Sequence, residues 1–324
     1  MLKKIMKRVV MPVLASEPML VARVRGIVNA SALTVLNFHR VDDRHVSAFE
    51  AIRPAQFDTL VGWLKNRFDI VTFRQSRYNP ASSKPRLVLS FDDGYRDFID
   101  VVVPILSKHG VSANQNVIPA CAESGKPPMN IQLQDFIAQA PAKLLRETPL
   151  PGLPCGANPD DRVRSGAIAS ASIKGLPIMQ QQKLFAKIVP FFERCGDFLA
   201  TPVMSVHEIA EVARYHEIGS HSFEHATMSV ETDDYVVRDV ARCRDWHVGV
   251  LGCQPEVYAF PNGSAGVGHS EIVREAGYRD VLLVGENFSK PGNWLHKRFT
   301  IYGNTTDELK FRATGATTYG KMKG

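Results

Sequence analysis

The chain has 324 residues, of which 44% are hydrophobic, enough to bury the core of one large domain or of one domain with an insertion. The formal charge of +6 at pH 7 is modest for this length, and no basic run interleaved with aromatic residues follows the first 25 residues, so nucleic-acid binding is not indicated. Five scattered cysteines, never in a Cys-x-x-Cys pair, argue against a cysteine zinc site and favour free thiols in a reducing compartment.

The N-terminal segment, residues 1–31, joins basic side chains to a short apolar run, Val9–Ala15, which Pro12 interrupts. A signal peptide is one reading, but we favour a basic arm that continues through Met19–Val28 and could rest on an anionic membrane surface. An ordinary solvated helix explains the same pattern, and no stretch reaches the roughly 20 apolar residues of a membrane span. We expect a cytoplasmic protein, with the inner face of the membrane as an alternative location.

From residue 32 onward, strand patterns alternate with amphipathic helical patterns, which predicts an α/β fold. The predicted strands are Leu33–Phe38, Asp69–Phe73, Leu87–Phe91, Ala113–Ile118, a short one starting at Glu217, Val257–Phe260, Val281–Val284 and Phe299–Tyr302. The predicted helices are Pro54–Phe68, Tyr95–His109, Ser205–Tyr215, Asp233–Leu251 and Glu271–Ala276.

Two neighbouring carboxylates, Asp92 and Asp93, follow the predicted strand Leu87–Phe91 and precede Gly94. Like charges at the end of a buried strand repel each other and resist desolvation, which favours a bound cation or a raised pKa. One carboxylate could bind the cation while the other stays free as a base. The alternative is that this sequence merely opens a turn or caps the next helix.

Two imidazoles, His221 and His225, lie four residues apart after a short predicted strand. Side chains at this spacing share one face of a helical turn and can bind one metal ion. A zincin helix that begins at His216 is excluded because its second histidine position holds Ser220, and Gly219 disfavours a helix there.

Together the two motifs resemble those of the NodB-type polysaccharide deacetylases, carbohydrate esterase family 4. The Thr-Phe-Asp-Asp-Gly motif of that family is met by Ser90–Gly94, and its His-[Ser/Thr]-x-x-His motif is met by His221, Ser222 and His225. The resemblance covers most of residues 33–302. It implies a distorted (β/α) barrel of the NodB-homology type.

The resemblance also divides the chain into a barrel over residues 32–310 and a C-terminal tail over 311–324. Residues 122–204 depart from the compact family plan and contain helical patterns at Ile131–Ala138 and Gln180–Phe192. We interpret this stretch as an insertion on the catalytic face, where loops often select the substrate. A disordered linker is the alternative.

The resemblance assigns a divalent metal ion, with Zn²⁺ expected, to three ligands: Asp93, His221 and His225. It makes Asp92 the general base. The third family motif, Tyr-Pro-x-Gly in the exopolysaccharide branch, is matched by Phe260–Gly263, so the backbone N–H of Asn262 would stabilise the oxyanion. A plain Pro-Asn-Gly turn explains the same residues.

Two histidines are candidates for the general acid. His39 follows the first predicted strand, resembles the Tyr-His-x-Val opening of the exopolysaccharide branch, and could hydrogen-bond substrate or water, or merely bond the backbone. The late Leu-x-His motif, whose histidine is the acid in the family, has no clear match. His296 is available there, but the pattern is closer to a branch that carries arginine, with Arg298 in that role.

We therefore predict a metal-dependent hydrolase that removes N-acetyl groups from amino sugars of a polysaccharide or glycan precursor and releases acetate. Its partner would be an N-acetylated glycan and not a nucleic acid. Asn114, Gln115 and Asn116 replace a threonine and aromatic residues of the family, and we expect them to contact sugar hydroxyls. Two alternatives stay open: a deformylase or other amidohydrolase of a lipid-linked sugar, and a catalytically weak carbohydrate-binding barrel.

Overall fold

The computed structural model describes residues 11–78, 83–150, 158–196, 198–290 and 292–315. The strands, numbered in chain order, are β1 Thr34–Phe38, β2 Asp69–Ile70, β3 Arg86–Phe91, β4 Asn114–Val117, β5 Glu217–Ser220, β6 Val257–Ala259, β7 Asp280–Val284 and β8 Leu295–Thr300. The helices are α1 Glu17–Asn29, α2 Pro54–Arg67, α3 Phe73–Tyr78, α4 Val103–His109, α5 Pro119–Ser124, α6 Met129–Gln139, α7 Ala142–Glu147, α8 Pro159–Lys174, α9 Ile178–Ala186, α10 Val189–Cys195, α11 Val206–Val212, α12 Asp233–Leu251, α13 His269–Glu275 and α14 Thr306–Ala313.

The sheet closes on itself as a parallel barrel. Seven strands form the ring in the order β1-β3-β4-β5-β6-β7-β8, because β1 pairs with β3 on one edge and with β8 on the other. The two-residue β2 pairs only with the beginning of β3. The predicted (β/α) barrel is therefore confirmed, and the carboxyl ends of its strands face one common rim.

The main core lies between the sheet and the surrounding helices. Phe38 and Phe91 are stacked on the outer face of β1 and β3 with their ring centroids 5.0 Å apart. Phe57 of α2 meets both rings edge-on, and Leu60 and Leu64 of the same helix are fully buried beside it. The helical spacing of these apolar residues is what docks α2 on the barrel.

Side chains at alternate strand positions fill the barrel interior and become polar toward the carboxyl ends of the strands. Val35 and Val88 are register partners in β1 and β3 and belong to an apolar interior cluster. The next inward pair is Asn37 and Ser90, and Asp92 comes two positions after Ser90. Because strand side chains alternate with a period of two, Asp92 is carried to the inner side of the catalytic rim.

The predicted strand Asp69–Phe73 is wrong over its second half, because β2 ends at Ile70 and α3 begins at Phe73. The carboxylate of Glu217, which belongs to β5, accepts hydrogen bonds from the backbone N–H groups of Phe73 and Arg74 at 3.0 and 2.9 Å. It satisfies two donors that the start of a helix leaves unpaired. This cap comes from a residue 144 positions away, so local sequence does not reveal it.

Two other boundaries also differ. The predicted helix Tyr95–His109 begins with a π-helical turn, Phe98–Val102, before α4. The last strand, β8, starts four residues earlier than the predicted Phe299–Tyr302 and ends two residues earlier. In the first part of β8, His296 and Arg298 face inward to Asp280 and Asp92 while Lys297 is exposed, which obscures the apolar strand pattern.

The described part of residues 122–204 is largely helical and has its own core. Leu133, Phe136 and Ile137 of α6 pack in one buried cluster with Leu145 and Ile188. This cluster argues against a disordered linker in the described part of the segment. Helix α6 matches one predicted helix, α8 was not predicted, and the other predicted helix is divided between α9 and α10 by a proline at the start of α10.

The insertion packs on the loop that follows β1. Gly166 of α8 lies so close to Ala48 that a Cβ at Gly166 would be 2.4 Å from the Ala48 Cβ. Asp135 of α6 lies 3.5 Å from His45 Nε2 and accepts hydrogen bonds from the backbone and hydroxyl of Thr201. These contacts fix the insertion over the catalytic rim.

The N-terminal helix α1 covers the predicted segment Met19–Val28 and packs on the barrel through Leu20 and Ile27, which are buried. Arg23 is also buried and lies over the ring of Phe311, 4.5 Å from its centroid. The four cations before residue 10 lie outside the described residues. Among the helices that are described, none is both long enough and apolar enough to cross a membrane.

Candidate metal centre

Three side chains from two strand ends meet in one buried cluster. Asp93 follows β3, and His221 and His225 follow β5, and one ligand atom from each lies within 4.8 Å of the others. Asp93 Oδ1 is 3.3 Å from His221 Nε2 and 3.4 Å from His225 Nε2. The structure thus brings together the three residues that the sequence motifs predicted as metal ligands.

These separations fit a tetrahedral metal ion. Ligands about 2.0–2.2 Å from Zn²⁺ in tetrahedral geometry are roughly 3.3–3.6 Å from each other. In addition, Asp93 Oδ1 is buried and has no hydrogen-bond partner. A buried carboxylate oxygen without a partner is costly, and a bound cation removes that cost.

Neighbouring groups hold two of the ligands in a metal-binding orientation. His221 Nδ1 is 2.8 Å from the carbonyl oxygen of Ala259 on β6, so Nδ1 is the protonated nitrogen and Nε2 is left for the cluster. The hydroxyl of Tyr95 donates to Asp93 Oδ2 at 2.8 Å, which leaves Oδ1 toward the histidines. Such supporting contacts are typical of metal sites.

The two histidines converge through an irregular turn and not through the helical turn that their spacing suggested. Ser222 and His225 have positive φ angles of 60° and 61°. The Ser222 hydroxyl donates to Asp239 at 3.0 Å, accepts from the N–H of Ala226 at 3.0 Å, and so closes the turn. The backbone N–H of Phe223 also donates to Asp239. The serine of the motif is therefore the residue that shapes the loop.

Backbone strain is concentrated at this cluster. Of the six described non-glycine residues with positive φ, four are Asp93, Ser222, His225 and Asn262. Such conformations cost roughly 1–3 kcal/mol each and persist where the surrounding structure enforces them, commonly at functional sites. The strained positions and the candidate metal ligands mark the same place.

Asp92 is a buried carboxylate held by one oxygen. Its Oδ1 accepts hydrogen bonds from Arg298 Nη1 and from Asn116 Nδ2, both at 2.8 Å. Its Oδ2 lies 4.0 Å from His221 Nε2. Burial opposes ionisation of Asp92, but the charges of Arg298 and His221 outweigh it and lower its pKa to about 2. Asp92 is therefore ionised, oriented, and has one oxygen directed to the cluster.

The sequence predicted Arg298 only as the arginine of the late family motif, and it did not predict that Arg298 or Asn116 binds Asp92. Arg298 is fully buried on β8 and reaches across the barrel interior. Asn114 and Asn116, expected to contact sugar, form hydrogen bonds inside the barrel, with Asn114 Oδ1 accepting from Ser90 and Asn116 donating to Ser90 and Asp92. Gln115 donates to a backbone carbonyl, so this expectation is wrong for all three. The signal in the sequence that could have predicted these contacts was the position of the polar residues at inward-facing sites of strands near the acidic motif.

The pKa values of His221 and His225 are shifted in opposite directions. Burial opposes protonation of His221, but the Asp92 and Asp93 charges overcome it and raise its pKa above the ordinary value. Burial lowers the pKa of His225 to about 3. For Asp93, the two histidines outweigh burial and its pKa falls far below the usual range. The two carboxylates thus favour the protonated form of His221, whereas burial favours the neutral form of His225.

A cavity of about 300 Å³ opens onto the cluster. Its lining is formed by Asn37, His39, Phe49, Asp92, Asp93, Asn130, Ile131, Lys174, His221, His225, Asn262, Gly263, Val284 and Thr300. Of the predicted residues, His39 and Asn262 both lie in this wall. His39 packs edge-on against Phe49, and burial lowers its pKa.

His296 does not line the cavity that opens onto the metal cluster. Its ring nitrogens are each 3.0 Å from a partner, Ser289 Oγ and Asp280 Oδ1, and it lines a different cavity of about 670 Å³. That cavity is at the strand starts, the opposite end of the barrel from Asp92, and holds no cluster of possible metal ligands among the described residues. His296 is therefore wrong as a candidate for the general acid.

Residues 195–281 match a family model described as polysaccharide deacetylase. No curated protein sequence matches the chain significantly. The matched segment contains the two histidines of the cluster, which confirms the resemblance that the motifs indicated.

Solved structures give the same fold. The structure of IcaB from Ammonifex degensii has a TM-score of 0.57 at 15% identity, covering 87% of this chain and 97% of that one. The Streptococcus pyogenes deacetylase PplD, in complex with acetate, has a TM-score of 0.56 at 15% identity, covering 86% and 96%. The BpsB deacetylase domain from Bordetella bronchiseptica has a TM-score of 0.50 at 16% identity, covering 84% and 96%. At these identities the similarity establishes the shared barrel.

Proposed function

We propose that this chain, whose residues 195–281 match the polysaccharide deacetylase family model, is a metal-dependent enzyme that removes N-acetyl groups from amino sugars of a polysaccharide or glycan precursor. The observation that carries the proposal is the buried Asp93 Oδ1, which has no hydrogen-bond partner and lies 3.3 and 3.4 Å from two imidazole nitrogens. A second carboxylate, Asp92, stands beside it with one oxygen uncommitted.

The ligand set would be Asp93, His221 and His225, with Zn²⁺ as the ion that two imidazoles and one carboxylate favour. When bound, such an ion supplies Lewis acidity toward the amide carbonyl and lowers the pKa of a water. Asp92 Oδ2 accepts the proton of the attacking water. Arg298 and Asn116 keep Asp92 in place throughout.

The rim supplies the remaining groups. Asn262 lies in a tight turn, Pro261–Gly263, at the cavity wall, where its backbone N–H would stabilise the oxyanion. The turn approaches β7 so closely that a Cβ at Gly263 would be 2.3 Å from the Val284 Cβ. His39 is the histidine of the cavity wall outside the ligand set, and because burial favours its neutral form, it would relay to the departing amine the proton that Asp92 takes from water.

Two variants test the division of roles between the carboxylate and the histidine. We expect Asp92→Asn to lose acetate release by roughly 10²–10⁴-fold, because it removes the base, while metal content measured by mass spectrometry stays that of the wild type. His221→Ala should lose the metal and the activity together. Loss of metal in Asp92→Asn, or full turnover after chelation, would contradict the scheme.

The substrate panel should contain N-acetylated and N-formylated amino sugars, both polymeric and lipid-linked. Release of acetate but not of formate supports the deacetylase. The reverse result favours the deformylase alternative. Tight glycan binding without release of either acid, with metal present, would instead indicate a carbohydrate-binding barrel.

A further inference from the structure

The insertion places a lysine in the wall of the catalytic cavity. Lys174 is the last residue of α8 and lines the cavity together with Asn130 and Ile131 of α6. The negative charge of Asp93 and the histidines at positions 39 and 225 interact electrostatically with it. The insertion thus contributes directly to the site where the proposed reaction takes place.

The position of Lys174 is fixed on both sides. Ile173 is fully buried immediately before it. Ile178, four residues after it, packs in the core cluster that contains Ala226 and Met228, and its backbone N–H donates to Glu231 at 2.5 Å. The backbone at Lys174 is therefore held between two buried anchors and does not need to be ordered when a ligand arrives, which lowers the entropic cost of binding.

Lys174 has no acidic partner in the part of the chain that the structure describes. Of the two carboxylates of the cavity wall, Asp92 is paired with Arg298 and Asp93 faces the two histidines of the cluster. Burial lowers the pKa of Lys174, and only Asp93 opposes that effect among the charges that act on it. A half-buried ammonium group without a hydrogen-bonded anion costs free energy unless an anionic group of a ligand pairs with it.

The charge balance of the cavity points to the chemistry of that ligand. Arg298 offsets Asp92, and a divalent ion more than offsets Asp93, so the loaded cavity holds an excess of positive charge to which Lys174 adds. We propose that Lys174 recognises an anionic group, a carboxylate or a phosphate, that the glycan carries next to the N-acetylated sugar. The inference rests on the proposed deacetylase function and names the substrate class as an acidic glycan.

The test compares neutral and acidic substrates on the metal-loaded full chain. The neutral substrate is an N-acetylglucosamine oligomer. The acidic ones are an oligomer that alternates N-acetylhexosamine with hexuronic acid and an N-acetylglucosamine linked through diphosphate to a short polyprenol. These two arms distinguish a carboxylate from a phosphate. The variants are Lys174→Met, Lys174→Arg and, as a control on the exposed surface of the same insertion, Lys183→Met.

We expect the wild type to prefer one acidic substrate over the neutral oligomer. Lys174→Met should lower kcat/KM for that substrate roughly 10- to 100-fold, the range for losing a charge-assisted hydrogen bond, and leave the neutral oligomer within about threefold. Lys174→Arg should restore most of the preference, and Lys183→Met should behave as the wild type. If Lys174 had a merely structural role, Lys174→Met would lower kcat/KM for all substrates equally.

The outcomes separate this inference from the proposed function. Acetate release with no preference for acidic substrates, or an equal loss on all substrates in Lys174→Met, overturns the role of Lys174 and leaves the deacetylase standing. If no substrate releases acetate, calorimetric binding of the same three glycans decides: acidic preference that Lys174→Met abolishes supports the anion site, and equal binding of neutral and acidic glycans overturns it.

Discussion

At the scale of single residues, the pair formed by Asp92 and Arg298 determines how the second carboxylate can act. Arg298 reaches Asp92 from a position 206 residues later in the chain. It binds Oδ1, and the charge it provides keeps the carboxylate ionised inside the barrel. Arg298 therefore stabilises the negative charge of Asp92, as a metal ion would stabilise that of Asp93. Because each carboxylate has its own cation, the two neighbouring acids can have different roles.

Replacing Arg298 by methionine tests this pairing. Because Arg298 lowers the pKa of Asp92, its loss should raise that pKa by about 1–3 units, and the acid limb of the kcat/KM profile should move to higher pH by the same amount. Metal content should remain that of the wild type, since Arg298 does not contact the ligands. The exposed ion-pair residue Arg194 provides the control Arg194→Met. An unchanged acid limb would contradict the assignment of Asp92 as the base.

At the scale of elements, the insertion is fixed by one close helix-to-loop contact. Gly166 of α8 lies against Ala48, in the loop that also carries Phe49 of the cavity wall. Lys174 stands two turns further along the same helix. The glycine thus sets how near the lysine comes to the metal cluster.

A methyl group at Gly166 should disturb this arrangement. Its Cβ would be 2.4 Å from that of Ala48, so the helix or the loop must shift, and we expect Gly166→Ala to destabilise the protein by about 1–3 kcal/mol despite the better helix propensity of alanine. KM should rise as Lys174 and Phe49 move apart. The control is Gly249→Ala in α12, where no atom lies within 4 Å of the added Cβ, so stability should rise by up to about 1 kcal/mol. Chemical denaturation measures the free energy of unfolding of both variants. Equal changes in Gly166→Ala and Gly249→Ala would contradict the role of the contact between Gly166 and Ala48.

At the scale of the whole molecule, the metal cluster joins β3 to β5 across the barrel rim. A ligand that binds only the folded chain raises its stability by mass action, by about 4 kcal/mol at a free concentration a thousandfold above Kd. For a chain of 324 residues this corresponds to an increase in Tm of roughly 6 °C. Binding therefore has a readout that does not depend on activity.

The increase in Tm should depend on pH in a defined direction. The pKa of His221 is raised in the metal-free protein, so the imidazole keeps its proton to a higher pH, and a metal ion has to displace that proton. The full increase is expected above the raised pKa and should shrink as the pH falls through it. His221→Ala should abolish the increase, whereas the exposed His207→Ala should retain it. A Zn²⁺-induced shift that persists in His221→Ala would contradict the ligand set.

The sequence by itself determined the α/β order and the candidate ligands, because both are local patterns. Asp92 and Asp93 end an apolar strand, and His221, Ser222 and His225 form a short motif, so each set is visible within a few residues. The alternation of strands with helices likewise depends on periodicity over single elements. These are the features for which neighbouring residues carry the information.

Only the tertiary structure decided which side chains serve those ligands. Arg298 and Asn116 meet Asp92 because the barrel closes and their strands point them inward, while the same closure places His296 at the opposite end from His39. Lys174 enters the cavity through an insertion whose packing no periodic pattern specifies. Contacts between residues distant in sequence depend on register, closure and helix docking. These are set by the packing of the whole chain, and no single segment encodes them.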